Sequence, residues 1–117
     1  MPMISFSGET SRGAFWDLIL RGEKTQTCRI PRKRPLEEKT IAMLYWKVRV
    51  RKDKKPIHLI GKALITKIER KKYGEFAFDD EFARRDGFRD HVELQDWFGD
   101  PSIYGEEEYD VIHFKLL

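Results

Sequence analysis

The chain has 117 residues, enough for one modest hydrophobic core but not two, so a single domain over 1–117 is expected. Hydrophobic residues make up 40% and charged residues 37%, and no apolar run approaches membrane length, which argues against a disordered or membrane-spanning chain. Net charge is only +3, yet residues 21–72 carry 18 basic and 5 acidic side chains while residues 73–117 carry 4 and 13. Such a split favours a basic face that collects a polyanion; the alternative is that the acidic tail pairs with it.

A lone cysteine makes no internal disulfide, and the first residues lack a signal-peptide pattern, so a reducing cytoplasmic location is expected. Asparagine is absent and glutamine occurs only at Gln26 and Gln95, a depletion of heat-labile amides that suggests a thermophilic source.

In chain order, Met3 to Phe6 reads as a first short strand. Thr10 or Ser11 is placed to cap a helix that presents Phe15 and Ile19 to a core, and Gly22 suits its left-handed end. The run Gly22-Glu23-Lys24-Thr25-Gln26-Thr27-Cys28-Arg29 then enters a polar strand. Alternation puts Thr25, Thr27 and Arg29 on one face and Gln26, Cys28 and Ile30 on the other, with Lys24 at the turn before them. An ammonium, a hydroxyl and a guanidinium gathered there suit a phosphate, a carboxylate or a polarised carbonyl. The plainer alternative is a polar edge strand beside a solvated basic loop.

Pro31 and Pro35 bracket that loop, which holds Arg32, Lys33 and Arg34. Ile41 to Val50 reads as a strand whose end sets Trp46, Val48 and Val50 opposite Lys47, Arg49 and Arg51. Lys52 to Pro56 forms a hairpin tip, and Ile57 to Ile68 returns. Trp46 stands inside this basic hairpin, where a nucleic-acid base could stack on it. Asp90 and Glu93 make a D-x-x-E capping pattern before Leu94, Trp97 and Phe98. Ile112, Phe114 and Leu116 give the closing strand an apolar face. Short strands with two or three small helices fit an α+β, closed or nearly closed barrel. Cys28 reads as a small buried thiol, and Trp16 and Trp97 as packing residues. His58, His91 and His113 are scattered without metal-site spacing, so neither metal nor cofactor is expected.

Gly22, Lys24, Thr25, Thr27 and Arg29 spell G-x-K-T-x-T-x-R directly after a helix, and this resembles the signature of the ASCH domain, a relative of the PUA-like RNA-binding barrels. Leu59 to Ile68, the acidic-Gly-Phe run Asp86-Gly87-Phe88 and the strand Tyr109 to Leu117 follow in the family's order. The resemblance implies a PUA-like β-barrel (ASCH) in an α+β single domain with two or three short helices. It also implies two functions. In the first, the protein binds RNA or a nucleoside: Lys24, Thr25 and Arg29 read phosphate or a base edge, Arg32, Lys33 and Arg34 extend the path, and Trp46 stacks. RNA is favoured over duplex DNA, because no helix is long and basic enough to fill a major groove.

In the second, it is similar to amidohydrolases that deacetylate N4-acetylcytidine. Thr27 is then the nucleophile, Lys24 its base, and Asp86 orients Lys24 or shuttles the proton. A metal-independent ribonuclease using the same cleft is a further alternative. Two departures weigh on the hydrolase. Aspartate stands where that pattern has the longer glutamate, and the basic hairpin between Tyr45 and Lys62 suits a polymer. Binding is therefore placed ahead of hydrolysis, and no reading of the sequence fixes an oligomeric state.

Overall fold

The structure, a computed structural model, describes residues 2–46 and 58–117. Strand β1 (Met3–Phe6) leads into a minimal hairpin of β2 (Glu9–Thr10) and β3 (Gly13–Ala14), followed by helix α1 (Phe15–Leu20). Then come β4 (Gln26–Arg29), β5 (Ile41–Trp46) and the long β6 (His58–Lys72). A 3-10 turn at Tyr73–Glu75 precedes α2 (Asp80–Arg85), α3 (His91–Phe98), α4 (Pro101–Tyr104) and the closing β7 (Glu108–Leu116).

Five strands form one sheet in the order β1-β5-β6-β7-β4, and only the β1–β5 pair is parallel. The sheet curls into a half-barrel, and with the helices it makes the expected α+β, PUA-like architecture. Its two edges, β1 and β4, are not backbone-paired to each other, so a seam stays open between them.

Alternation explains the lining. Ala42 and Leu44 of β5, Ala63 and Ile65 of β6, and Val111 of β7 are fully buried, as are Leu18 and Ile19 of α1. A second apolar layer comes from the helical segment, where the rings of Phe76 and Phe82 stack at 4.3 Å and those of Tyr73 and Phe98 at 5.5 Å. Each such side chain contributes about 1.5–3 kcal/mol by leaving water.

The helix ends follow local chemistry at three of four places. Asp79, Asp90 and Asp100 each accept a backbone N–H in the first turn of α2, α3 and α4. Glu93 does not bond the cap's own N–H as a reciprocal box would; its carboxylate takes the N–H groups of Arg89 at 2.8 Å and Ser11 at 2.9 Å. The first helix differs from expectation. It starts at Phe15 after Ala14 with no side-chain cap, and the Phe15 N–H bonds the Gly8 carbonyl instead. Thr10 has another task, donating to the Gly87 carbonyl at 2.7 Å from the β2–β3 hairpin. Gly22 closes α1 at φ 74°, as its position suggested.

Strand β6 runs four residues beyond the expected Ile68, because β7 pairs with it as far as Lys72 opposite Glu108. That pairing joins the basic and acidic parts of the chain: Arg70 meets Asp110 at 2.7 Å and Lys72 meets Glu106 at 2.7 Å. The expected alternation of Val48 and Val50 and the tip Lys52 to Pro56 lie outside the described residues.

Gly87 carries a specific constraint: its φ is +104°, and an added Cβ would stand 3.3 Å from both Phe15 and Leu18. Gly87→Ala is expected to destabilise the fold by about 1–3 kcal/mol, read as a lower urea midpoint. An unchanged midpoint would refute the constraint.

Candidate active site at the barrel seam

Strand β4 pairs with β7 on one side and, among the described residues, has no strand on the other. A cavity of about 170 Å³ opens along this edge. Its walls are Ser5 and Phe6 of β1, Phe15 of α1, Thr27, Cys28 and Arg29 of β4, and Trp97 and Phe98 of α3. Lys24, just before β4, and Asp86 and Phe88, just after α2, complete it.

Backbone bonds aim Lys24. After Gly22 turns the chain, the N–H groups of Glu23 and Lys24 both return to the Leu18 carbonyl. The Lys24 side chain is 3% exposed; its Nζ donates to the Asp86 backbone carbonyl and stands 3.6 Å from Asp86 Oδ1. The Phe15 ring centroid lies 4.6 Å from Nζ and the Phe6 centroid 5.8 Å away. Burial drives the Lys24 pKa below 10.5; the Asp86 carboxylate opposes that shift and the Arg29 guanidinium reinforces it. Burial likewise raises the Asp86 pKa above 3.8, against the attraction of Lys24 and Arg29. Burial thus favours the uncharged form of each partner.

Arg29 ties the seam. Its Nη2 donates to the Ser5 carbonyl of β1 at 2.7 Å, its Nε to Thr27 Oγ1 at 3.2 Å, and its guanidinium lies 4.9 Å from the Phe6 ring centroid. Thr27 is 5% exposed, so its hydroxyl sits in a nearly dry wall beside a fixed positive charge.

The structure brings Lys24, Thr27, Arg29 and Asp86 around one cavity, and the shorter aspartate does come within 3.6 Å of the lysine nitrogen. Thr25 is exposed outside it, and its backbone links the Arg85 carbonyl to the Phe114 N–H. Arg32 lines a wider groove next to the cavity, while Lys33 and Arg34 are exposed, Arg34 beside a separate depression with Pro35 and Leu36. Trp46 lies apart from the cavity, edge-on to Trp16 with centroids 6.2 Å apart in an apolar cleft with Leu20, Leu59 and Ile60.

Cys28 also lines the cavity, with Sγ 3.9 Å from Asp86 Oδ1, although strand alternation put it opposite Thr27. With no strand beyond β4 among the described residues, the cavity reaches both Thr27 and Cys28 at the strand edge. Burial raises the thiol well above its ordinary pKa of 9.0, which suppresses the thiolate. Two further residues escaped the sequence reading. Trp97 packs edge-on to Phe15 as the pattern of α3 suggested, yet it is half exposed and also lines both cavity and groove. Gln26 is fully buried; its Nε2 donates to the Phe82 carbonyl at 3.5 Å, its Oε1 accepts from Arg85 at 3.3 Å, and it supports the charged form of Asp86. A buried amide in a chain almost without amides is the signal that would have found it.

Among the described residues no cluster of His, Cys, Asp or Glu could hold a metal ion, and no helix is long and apolar enough to cross a membrane. No protein-family profile matches the chain, and neither does any curated protein. Solved structures do match. A DUF984 protein from Enterococcus faecalis is similar with a TM-score of 0.69 at 13% identity, over 100% of this chain and 76% of its own. An ASCH domain from Lactobacillus crispatus is similar with a TM-score of 0.58 at 18% identity, over 96% of this chain and 79% of its own. At such identities the likeness defines the fold. The chain has an ASCH-like, PUA-like α+β fold.

The Lys24 ammonium is expected to titrate below 10.5, followed by nitrogen NMR of the side chain. Because Asp86 holds that value up, Asp86→Asn should lower it further. A Lys24 that titrates at or above its ordinary value in both proteins would overturn the electrostatic account.

Proposed function

We propose that the seam cavity is a metal-independent amidohydrolase site for a nucleoside amide of the N4-acetylcytidine kind. One observation carries this reading: a lysine with a lowered pKa is buried against Asp86 in the same cavity as the Thr27 hydroxyl. A buried amine that is easily neutral is a base, and a threonine hydroxyl needs one to become a nucleophile.

Thr27 Oγ1 attacks the amide carbonyl carbon while Lys24 Nζ takes its proton. The Arg29 guanidinium, already bonded to Thr27 Oγ1, stabilises that oxygen as its proton leaves. As the carbon–nitrogen bond breaks, the leaving amine takes the proton from the Lys24 ammonium, with Asp86 holding that nitrogen in place. Water then cleaves the threonine ester by the reverse assignment of the same groups and releases the carboxylic acid. Proton and electron pairs balance without any cofactor. The volume of about 170 Å³ suits a single acylated base far better than a length of polymer.

RNA binding is the second reading, and a separate observation favours it. Arg32, Lys33 and Arg34 are all exposed, and none has a carboxylate partner among the described residues. Contacts of that kind make affinity fall steeply with salt.

Purified protein is expected to deacetylate N4-acetylcytidine, with Lys24→Ala lowering kcat by about 10²–10⁴-fold. Thr27→Val should abolish turnover while substrate still binds. Activity needs uncharged Lys24, so the rate should rise with pH through an apparent pKa below 10.5 and shift to lower pH in Asp86→Asn. Absence of turnover in the wild-type protein, together with salt-sensitive RNA affinity, would replace the first reading with the second.

A further inference from the structure

Beside the cavity runs an open groove of about 480 Å³, lined by Arg29, Ile30, Arg32, Trp97 and Tyr109. Cys28, Arg29, Trp97 and Phe98 border both spaces, so the groove adjoins the cavity. The two guanidinium groups differ in their commitments. Arg29 is bonded to Ser5 and Thr27, whereas Arg32 makes one exposed bond to the Met3 carbonyl at 3.3 Å and no ion pair among the described residues. That sets Arg32 apart from Arg12, Arg21, Arg70, Arg85 and Arg89, each of which meets a carboxylate. No acidic side chain lines the groove among the described residues.

We propose that this groove is a phosphate subsite, so that the ligand of the cavity is a nucleotide rather than a free nucleoside. Arg32 binds the phosphate, and the half-exposed Trp97 indole offers a flat apolar wall to the sugar and base between the two sites. A guanidinium fork matches phosphate oxygens in a way a single ammonium cannot. The inference rests on the nucleoside reading of the cavity, but it concerns binding and not hydrolysis. The phosphate could belong to a free mononucleotide or to an RNA backbone, and the chemistry of the groove is the same for both.

The test is calorimetric titration of the full chain with cytidine, cytidine 5′-monophosphate, cytidine 3′-monophosphate and a cytidine trinucleotide, at low and high salt. At least one phosphate-bearing ligand should bind about tenfold or more tightly than cytidine, a preference worth about 1.4 kcal/mol. Arg32→Ala should collapse that ratio toward one, and added salt should narrow it in the wild type. Arg32→Lys should restore only part of it, which separates charge from fork geometry. A monophosphate that binds as well as the trinucleotide assigns the site to free nucleotides; a trinucleotide that binds much better assigns it to RNA. Equal affinity for cytidine and every phosphorylated ligand overturns the inference, as does a preference that survives Arg32→Ala or no binding at all. Failure of the hydrolase reading looks different: these affinities stay intact while N4-acetylcytidine and its monophosphate are not turned over.

Discussion

A lysine and an aspartate side chain share one nearly dry space in this protein, and much of the structure is arranged so that they can. Desolvating each ion costs several kcal/mol, and removing one partner of such a pair costs about 3–5 kcal/mol because the other is left stranded. Lys24 and Asp86 are therefore held by backbone as well as by each other. Lys24 follows the left-handed turn at Gly22, with its N–H returned to Leu18. Asp86 ends α2, with its N–H bonded to Phe82 and Ala83, and offers its own carbonyl to the Lys24 nitrogen. Both sit where a helix stops, and Gly87 must leave Asp86 without filling the space of Phe15 and Leu18.

The open seam of the half-barrel is what makes room for that pair. Edge strands usually expose unpaired backbone groups that invite wrong partners. Here side chains cover part of the gap, with Arg29 reaching the Ser5 carbonyl and Arg32 the Met3 carbonyl. One arginine thus serves three ends. It ties β4 to β1, holds the Thr27 hydroxyl and adds to the field that opposes protonation of Lys24. A fully paired barrel would have replaced this cavity with backbone hydrogen bonds.

The charge pattern acquires meaning only in this frame. Part of the basic excess along β6 is met by acidic residues on and before β7, through Arg70–Asp110 and Lys72–Glu106. Exposed pairs of this kind contribute little stability, but they dispose of charge. Among the described residues, Arg32, Lys33 and Arg34 in the loop after β4 meet no carboxylate, and Arg32 lines the groove beside the cavity.

Local signals were legible in the sequence wherever the physics is local. Gly22 as a helix end, Asp90 as a cap, β1 over Met3–Phe6 and the G-x-K-T-x-T-x-R run all follow from neighbours a few residues apart. The six-residue α2 is too short to show a period, and Thr10 as a cap was a reasonable local choice that a tertiary bond to Gly87 overrode. Strand alternation assigned Thr27 and Cys28 to opposite faces, yet it could not say that β4 would be an edge whose cavity takes both. By itself the sequence determined which residue types stand on which local elements. Only the tertiary structure decided that Lys24 meets Asp86 across 62 positions, that Trp97 faces the cavity and that Trp46 does not. Those facts depend on which sheet edges approach each other and how deeply each ion is buried, quantities set by the packing of the whole chain.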